Sequence, residues 1–141
     1  MTMAPRPDDR QAIERAGPVR YTRVYSDSLG ETHFADEDLS FELADYAPPA
    51  PPISVSGQYR AESMTFISSP PGWFGDLHPA PCRQFIIVLS GELEVEVSDG
   101  EVRRFGPGSF CLVEDTEGKG HVSRVTSGER GFAVAVPLAG K

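Results

Sequence analysis

Two histidines are the residues best suited to chemistry in this chain: His78, between Leu77 and Pro79, and His121, directly after Gly118-Lys119-Gly120. An imidazole changes charge near neutrality, ligates first-row metals and exchanges protons, so a small polar site is often built on it. Strand alternation through the stretch Gly72–Gly91 places His78, Ala80, Cys82 and Gln84 on one face, although Pro79 and Pro81 stand where they disturb the pleat. Gln84 continues into Ile86 and Val88, which points that face inward, and a buried amide there must find a partner. Taken alone, His78 also reads as a turn cap whose ring bonds a backbone carbonyl. Trp73 and Phe74 follow Pro70-Pro71-Gly72 and suit either stacking on a ligand at an entrance or ordinary core packing. Cys82 and Cys111 have no Cys-x-x-Cys spacing and read as reduced, core-type thiols.

The elements that must hold these residues are strands. Val19 to Ser26, Thr32 to Phe34, Leu39 to Leu43, Met64 to Ile67, a fully buried run Phe85 to Leu89, and Leu93 to Val97 are rich in β-branched and aromatic residues and end in turn formers. In the last of these Leu93, Val95 and Val97 face the core while Glu92, Glu94 and Glu96 face water. Asp99-Gly100 predicts a hairpin into Val102 to Phe105, and Phe110 to Val113, His121 to Val125 and Phe132 to Val136 follow. Residues 47 to 52, with four prolines, read as a stiff extended connector. Asp36-Glu37-Asp38 lacks the ligand spacing and glycine of a calcium loop and reads as a solvated turn. Gly118 to His121 lacks the lysine-hydroxyl pair of a phosphate loop and reads as a solvated loop. Short strands at close spacing predict an all-β sandwich or barrel.

The chain of 141 residues is the length of one ordinary domain. Residues 1 to 18 are expected to be a flexible or short helical arm, and residues 19 to 141 one domain. A formal net charge of -8, with basic residues scattered, argues against nucleic acid and anionic lipid as partners. No apolar run approaches the ~20 residues of a membrane span, and the N-terminus lacks an apolar signal core, so a cytoplasmic location is expected.

At Gly72, His78, Ala80, Gln84 and Gly91, and again at Gly108, Glu114, Gly118 and His121, the sequence resembles the two motifs of the cupin superfamily. The first motif matches at the family spacing and the second after an insertion of two residues. The resemblance covers residues 62 to 137. It implies a jelly-roll (double-stranded β-helix) barrel, here with extra N-terminal strands, and a ligand or metal site inside it. Ala80 stands where the family has a histidine and Gln84 where it has a carboxylate. The implied metal ligands are therefore His78, Gln84 and His121, for iron, zinc, nickel or manganese, with Cys82, Asp76 or Glu114 as substitutes.

The leading expectation is a metal-dependent cupin enzyme, of dioxygenase, isomerase, cyclase or decarboxylase type, acting on a small organic molecule. His78 and His121 would be the catalytic residues, and Trp73, Phe74, Cys82 and Glu114 would contact substrate. Two alternatives stand beside it. One is a non-catalytic ligand-binding or sensor cupin with a degenerate metal site. The other is a metal-free enzyme using histidine as acid and base. The strands before the barrel predict a homodimer.

Overall fold

The computed structural model describes residues 18–140, so the arm expected at residues 1 to 18 lies, but for Pro18, outside the described residues. Twelve strands and no helix form among them: β1 (Val19–Ser26), β2 (Thr32–Leu39), β3 (Glu42–Ala44), β4 (Ile53–Val55), β5 (Thr65–Ser69), β6 (Phe74–His78), β7 (Gln84–Ser90), β8 (Leu93–Val97), β9 (Val102–Phe105), β10 (Phe110–Val113), β11 (His121–Val125) and β12 (Gly131–Pro137). The described chain forms two compact units. One comprises residues up to Arg20 with Asp38–Tyr59, and the other Tyr21–Glu37 with Arg60 onward.

In the larger unit the strands from β5 onward make two sheets. One runs β2-β1-β10-β7-β12-β5 and the other β6-β11-β8-β9. Omitting β1 and β2, the first sheet joins the first, eighth, third and sixth strands of an eight-strand series, and the second joins the second, seventh, fourth and fifth. That interleaving is two Greek keys wound into a jelly roll. β1 adds to it by pairing parallel with β10, Thr22 opposite Cys111 and Val24 opposite Val113. Of the expected extra N-terminal strands, β1 and β2 thus join the barrel's six-stranded sheet.

Alternation along the strands sorts the core into two layers. Val24, Phe34, Val88, Val95, Val97, Phe105, Cys111 and Val113 come from both sheets and pack between them. The intervening residues Phe85, Phe110 and Leu112 pack with Tyr21 and Leu138 on the outer face of the six-stranded sheet. There the Tyr21 and Phe110 rings stack at 5.2 Å. The Asp99-Gly100 hairpin forms as expected between β8 and β9, with Gly100 at φ +98°.

Several expectations need correction. β6 went unforeseen because Gly75 and Asp76 are poor strand formers; β11 supplies its backbone partners. Met64 to Ile67 shifts to Thr65–Ser69, since Ser68 and Ser69 pair with Phe132 and Gly131. Leu39 to Leu43 is not one strand, and Asp36-Glu37-Asp38 is no turn. β2 runs through it to Leu39, with Asp36 held by Arg103 at 2.7 Å and Asp38 by Arg20 at 3.1 Å. The β7 run is not fully buried, for Leu89 is 43% exposed. Glu94 does not face water: it is only 9% exposed, and Arg104 Nε donates to it at 3.0 Å. In the smaller unit the proline-rich segment is not extended. It is the loop of the β3–β4 hairpin, where the Ala50 amide donates to the Ala47 carbonyl at 2.9 Å.

Candidate functional site

The two motif histidines meet because β6 ends where β11 begins. In that antiparallel pair His78 and His121 are directly opposite one another, and their ring centroids lie 4.7 Å apart at 54°. Gly120 makes the approach possible. It sits at φ +78°, and a Cβ there would fall 2.2 Å from the His78 carbonyl carbon. Only glycine satisfies both conditions.

Each ring is oriented by an oxygen that can only accept. Nδ1 of His78 donates to the Asp76 carbonyl at 2.5 Å, which is the turn-cap bond anticipated from sequence. Nδ1 of His121 donates to Oδ2 of Asp115 at 2.6 Å. Asp115 is fully buried, and its Oδ1 makes no hydrogen bond among the described residues, so there His121 is the carboxylate's principal partner. In the neutral rings the lone pair is then on Nε2, the tautomer fixed by the bond at the other nitrogen.

The loop from residue 114 to 120 brings Asp115 beneath His121 through hydrogen bonds made by its backbone. The Ala80 amide donates to the Asp115 carbonyl at 2.9 Å, Thr32 Oγ1 donates to the Gly120 carbonyl at 2.8 Å, and the Lys119 amide donates to Gly30 at 2.9 Å. Sequence reasoning missed Asp115. Its signal was present as a carboxylate six residues before a motif histidine, but nothing in strand periodicity says that the intervening loop folds back.

Both histidines line a cavity of about 330 Å³ between the sheets. Among the described residues its other polar members are Gln84, Ser69, Ser90 and Ser123, and no Asp, Glu, Lys or Arg lines it. Valine, isoleucine and leucine side chains from β1, β5, β7, β8, β10 and β11, together with Phe132, make the remainder mostly apolar. Cys111 is also in the wall, where burial pushes its thiol up to about 12 and keeps it neutral.

The sequence-predicted residues divide cleanly. His78, Ala80, Gln84, His121 and Trp73 line the cavity. The Trp73 indole lies over Gly75, where a Cβ would sit 2.5 Å from its ring. Phe74, Cys82 and Glu114 do not line it. Phe74 alternates outward, 56% exposed under the Arg124 guanidinium. Cys82 falls in the connection between β6 and β7 rather than on a continuous strand, its thiol 3.7 Å from the Gln84 amide oxygen. Glu114 accepts hydrogen bonds from Arg83 and Arg23 instead. Burial alone would raise its carboxyl, but those two bonds outweigh it and hold it below the usual range.

These commitments decide how well a metal would be served. Nε2 of His78, Nε2 of His121 and the Gln84 amide oxygen are all neutral donors. Asp115 is engaged on the far side of His121 and Glu114 by two arginines. Among the described residues no three His, Cys, Asp or Glu side chains converge. A first-row ion held resident by a protein ordinarily finds three or four such ligands, so the donors present do not fit one.

The strand order makes this chain a jelly-roll barrel, with a polar end built on the two paired histidines. No protein-family model matches the sequence, and no curated protein matches it. Similar solved structures include a cupin domain from Bordetella pertussis, at TM-score 0.44 and 19% identity over 55% of this chain and 80% of that one. A conserved protein of unknown function from Streptococcus pyogenes gives 0.44 and 19% over 61% and 71%. The cupin domain of Schizosaccharomyces pombe Cnp3 gives 0.44 and 11% over 86% and 87%. The jelly roll follows from this chain's own strand order.

Proposed function

We propose that the barrel binds a small organic molecule in the cavity and that His121, oriented by Asp115, exchanges a proton with it without a resident metal. The observation that carries this reading is the His78–His121 pair at the wall of a mostly apolar cavity, with a fully buried carboxylate behind one ring. A carboxylate on Nδ1 fixes the tautomer and stabilises the imidazolium that forms when Nε2 takes a proton, which is how histidine bases are commonly supported. His78, fixed by a neutral carbonyl, positions the polar group of the ligand, and the proton that His121 takes and returns is on the carbon beside that group.

The test uses protein purified without chelator. Organic molecules are extracted from it and identified by mass spectrometry, and metal content is measured on the same sample. The expected result is a bound molecule with metal well below one equivalent. The bound molecule is then incubated with the protein in deuterium oxide. Deuterium should enter at carbon with wild-type protein and not with His121→Ala. Stoichiometric metal would overturn the metal-free reading, and equal exchange in both proteins would overturn the role of His121. A molecule retained with no exchange at all would make the barrel a carrier or sensor.

A further inference from the structure

Given that the cavity is the binding site, we infer that its ligand is an uncharged, largely apolar molecule of about two-ring size that presents a hydroxyl donor to the His78–His121 pair. Three observations carry this. The first is size. The cavity, about 330 Å³, is roughly twice the ~150 Å³ that holds a single benzene ring.

The second is charge. Among the described residues no lysine, arginine, aspartate or glutamate lines the cavity, and the Cys111 thiol is neutral. A carboxylate or phosphate on the ligand would leave water without meeting a countercharge, which is costly. If His121 took a proton, Asp115 at 2.6 Å would already balance it.

The third is hydrogen-bond polarity. The Asp76 carbonyl and the Asp115 carboxylate occupy Nδ1 of the two rings, so in their neutral forms both Nε2 atoms are acceptors. A ligand O–H can donate to one of them. An anionic head would set lone pairs against lone pairs.

Trp73 makes this directly measurable, because it is the chain's one tryptophan and it lines the cavity. Calorimetric titration of the full-length protein near neutral pH would use naphthalen-2-ol, naphthalene and naphthalene-2-carboxylate, with Trp73 emission followed in parallel. The alcohol should bind about tenfold more tightly than naphthalene, the size of one hydrogen bond, and the carboxylate should bind weakest. Trp73 emission should saturate with the same constant. In His121→Phe the alcohol should fall toward naphthalene while naphthalene itself is retained; the wild-type series stands without this variant.

Carboxylate binding as tight as that of the alcohol would overturn the inference and leave the site a ligand-binding one. If none of the three binds, the inference is overturned. The binding reading falls with it only if the purified protein also yields no organic molecule on extraction.

Discussion

Asp115 is where the polar end of the site is most sensitive to change. Replacing it with alanine removes the acceptor at His121 Nδ1 inside a closed interior, and Asp115→Ala is expected to lose roughly 2–4 kcal/mol in urea unfolding. Asp115→Asn keeps an acceptor and should cost less. Its amide can also donate, so His121 is no longer held to one tautomer, and deuterium exchange into the bound molecule should drop while the fold survives. Gly120 is the second sensitive position. Gly120→Ala places a Cβ against the His78 backbone at a left-handed φ, and should lose about 1–3 kcal/mol and weaken ligand binding together. The histidines themselves were legible from motif spacing. Asp115 was not, because its role depends on a loop whose course is fixed by backbone bonds to distant residues.

Among the elements, β2 is tied to the rest of the larger unit by a histidine that sequence reasoning left unused. Nε2 of His33 lies 2.7 Å from Asp27 in the β1–β2 turn, and Nδ1 lies 2.8 Å from Asp99 at the tip of the β8–β9 hairpin. The hydrogen bond to Asp27 and then that to Asp99 hold the His33 imidazole above its ordinary range. Asp27 is held below the usual carboxylate range, first by His33. For His33 the sign is clear. Its contribution is fully present below the free imidazole value of ~6.5 and is lost as pH rises through the raised folded value. For Asp27 the contribution is lost as pH falls through the lowered carboxylate value. Thermal melts of wild type and His33→Gln should therefore differ most near about pH 5–6 and converge toward about pH 9. A constant difference across that range would sink this account. The hairpin that supplies Asp99 was legible from Asp99-Gly100, whereas β6 was not, since its pairing comes from β11 rather than from its own residues.

For the molecule as a whole, β1 is already paired in the barrel with β10, which among the described residues leaves β2 and β5 as the edges of the six-stranded sheet. Met64 and Phe66, just before and on β5, are 61% and 59% exposed, and an apolar edge strand invites pairing with another chain. We propose a homodimer formed through β5. Light scattering should give twice the 15.3 kDa of one chain, and Phe66→Lys should give the single-chain mass. A monomeric wild-type protein would overturn it. By itself the sequence determined the all-β class, the hairpin and turn positions and the two histidines, because a period of two, glycine turns and motif spacing are local properties. Only the tertiary structure decided which residues share the cavity. His78 and His121 are 43 positions apart in the numbering, and they meet through the register of β6 on β11. Phe74, Cys82 and Glu114 leave the site by outward alternation, a broken pleat and two arginines, and Asp115 enters it through a folded loop. Each of these outcomes depends on partners remote in sequence, which a one-dimensional pattern does not contain.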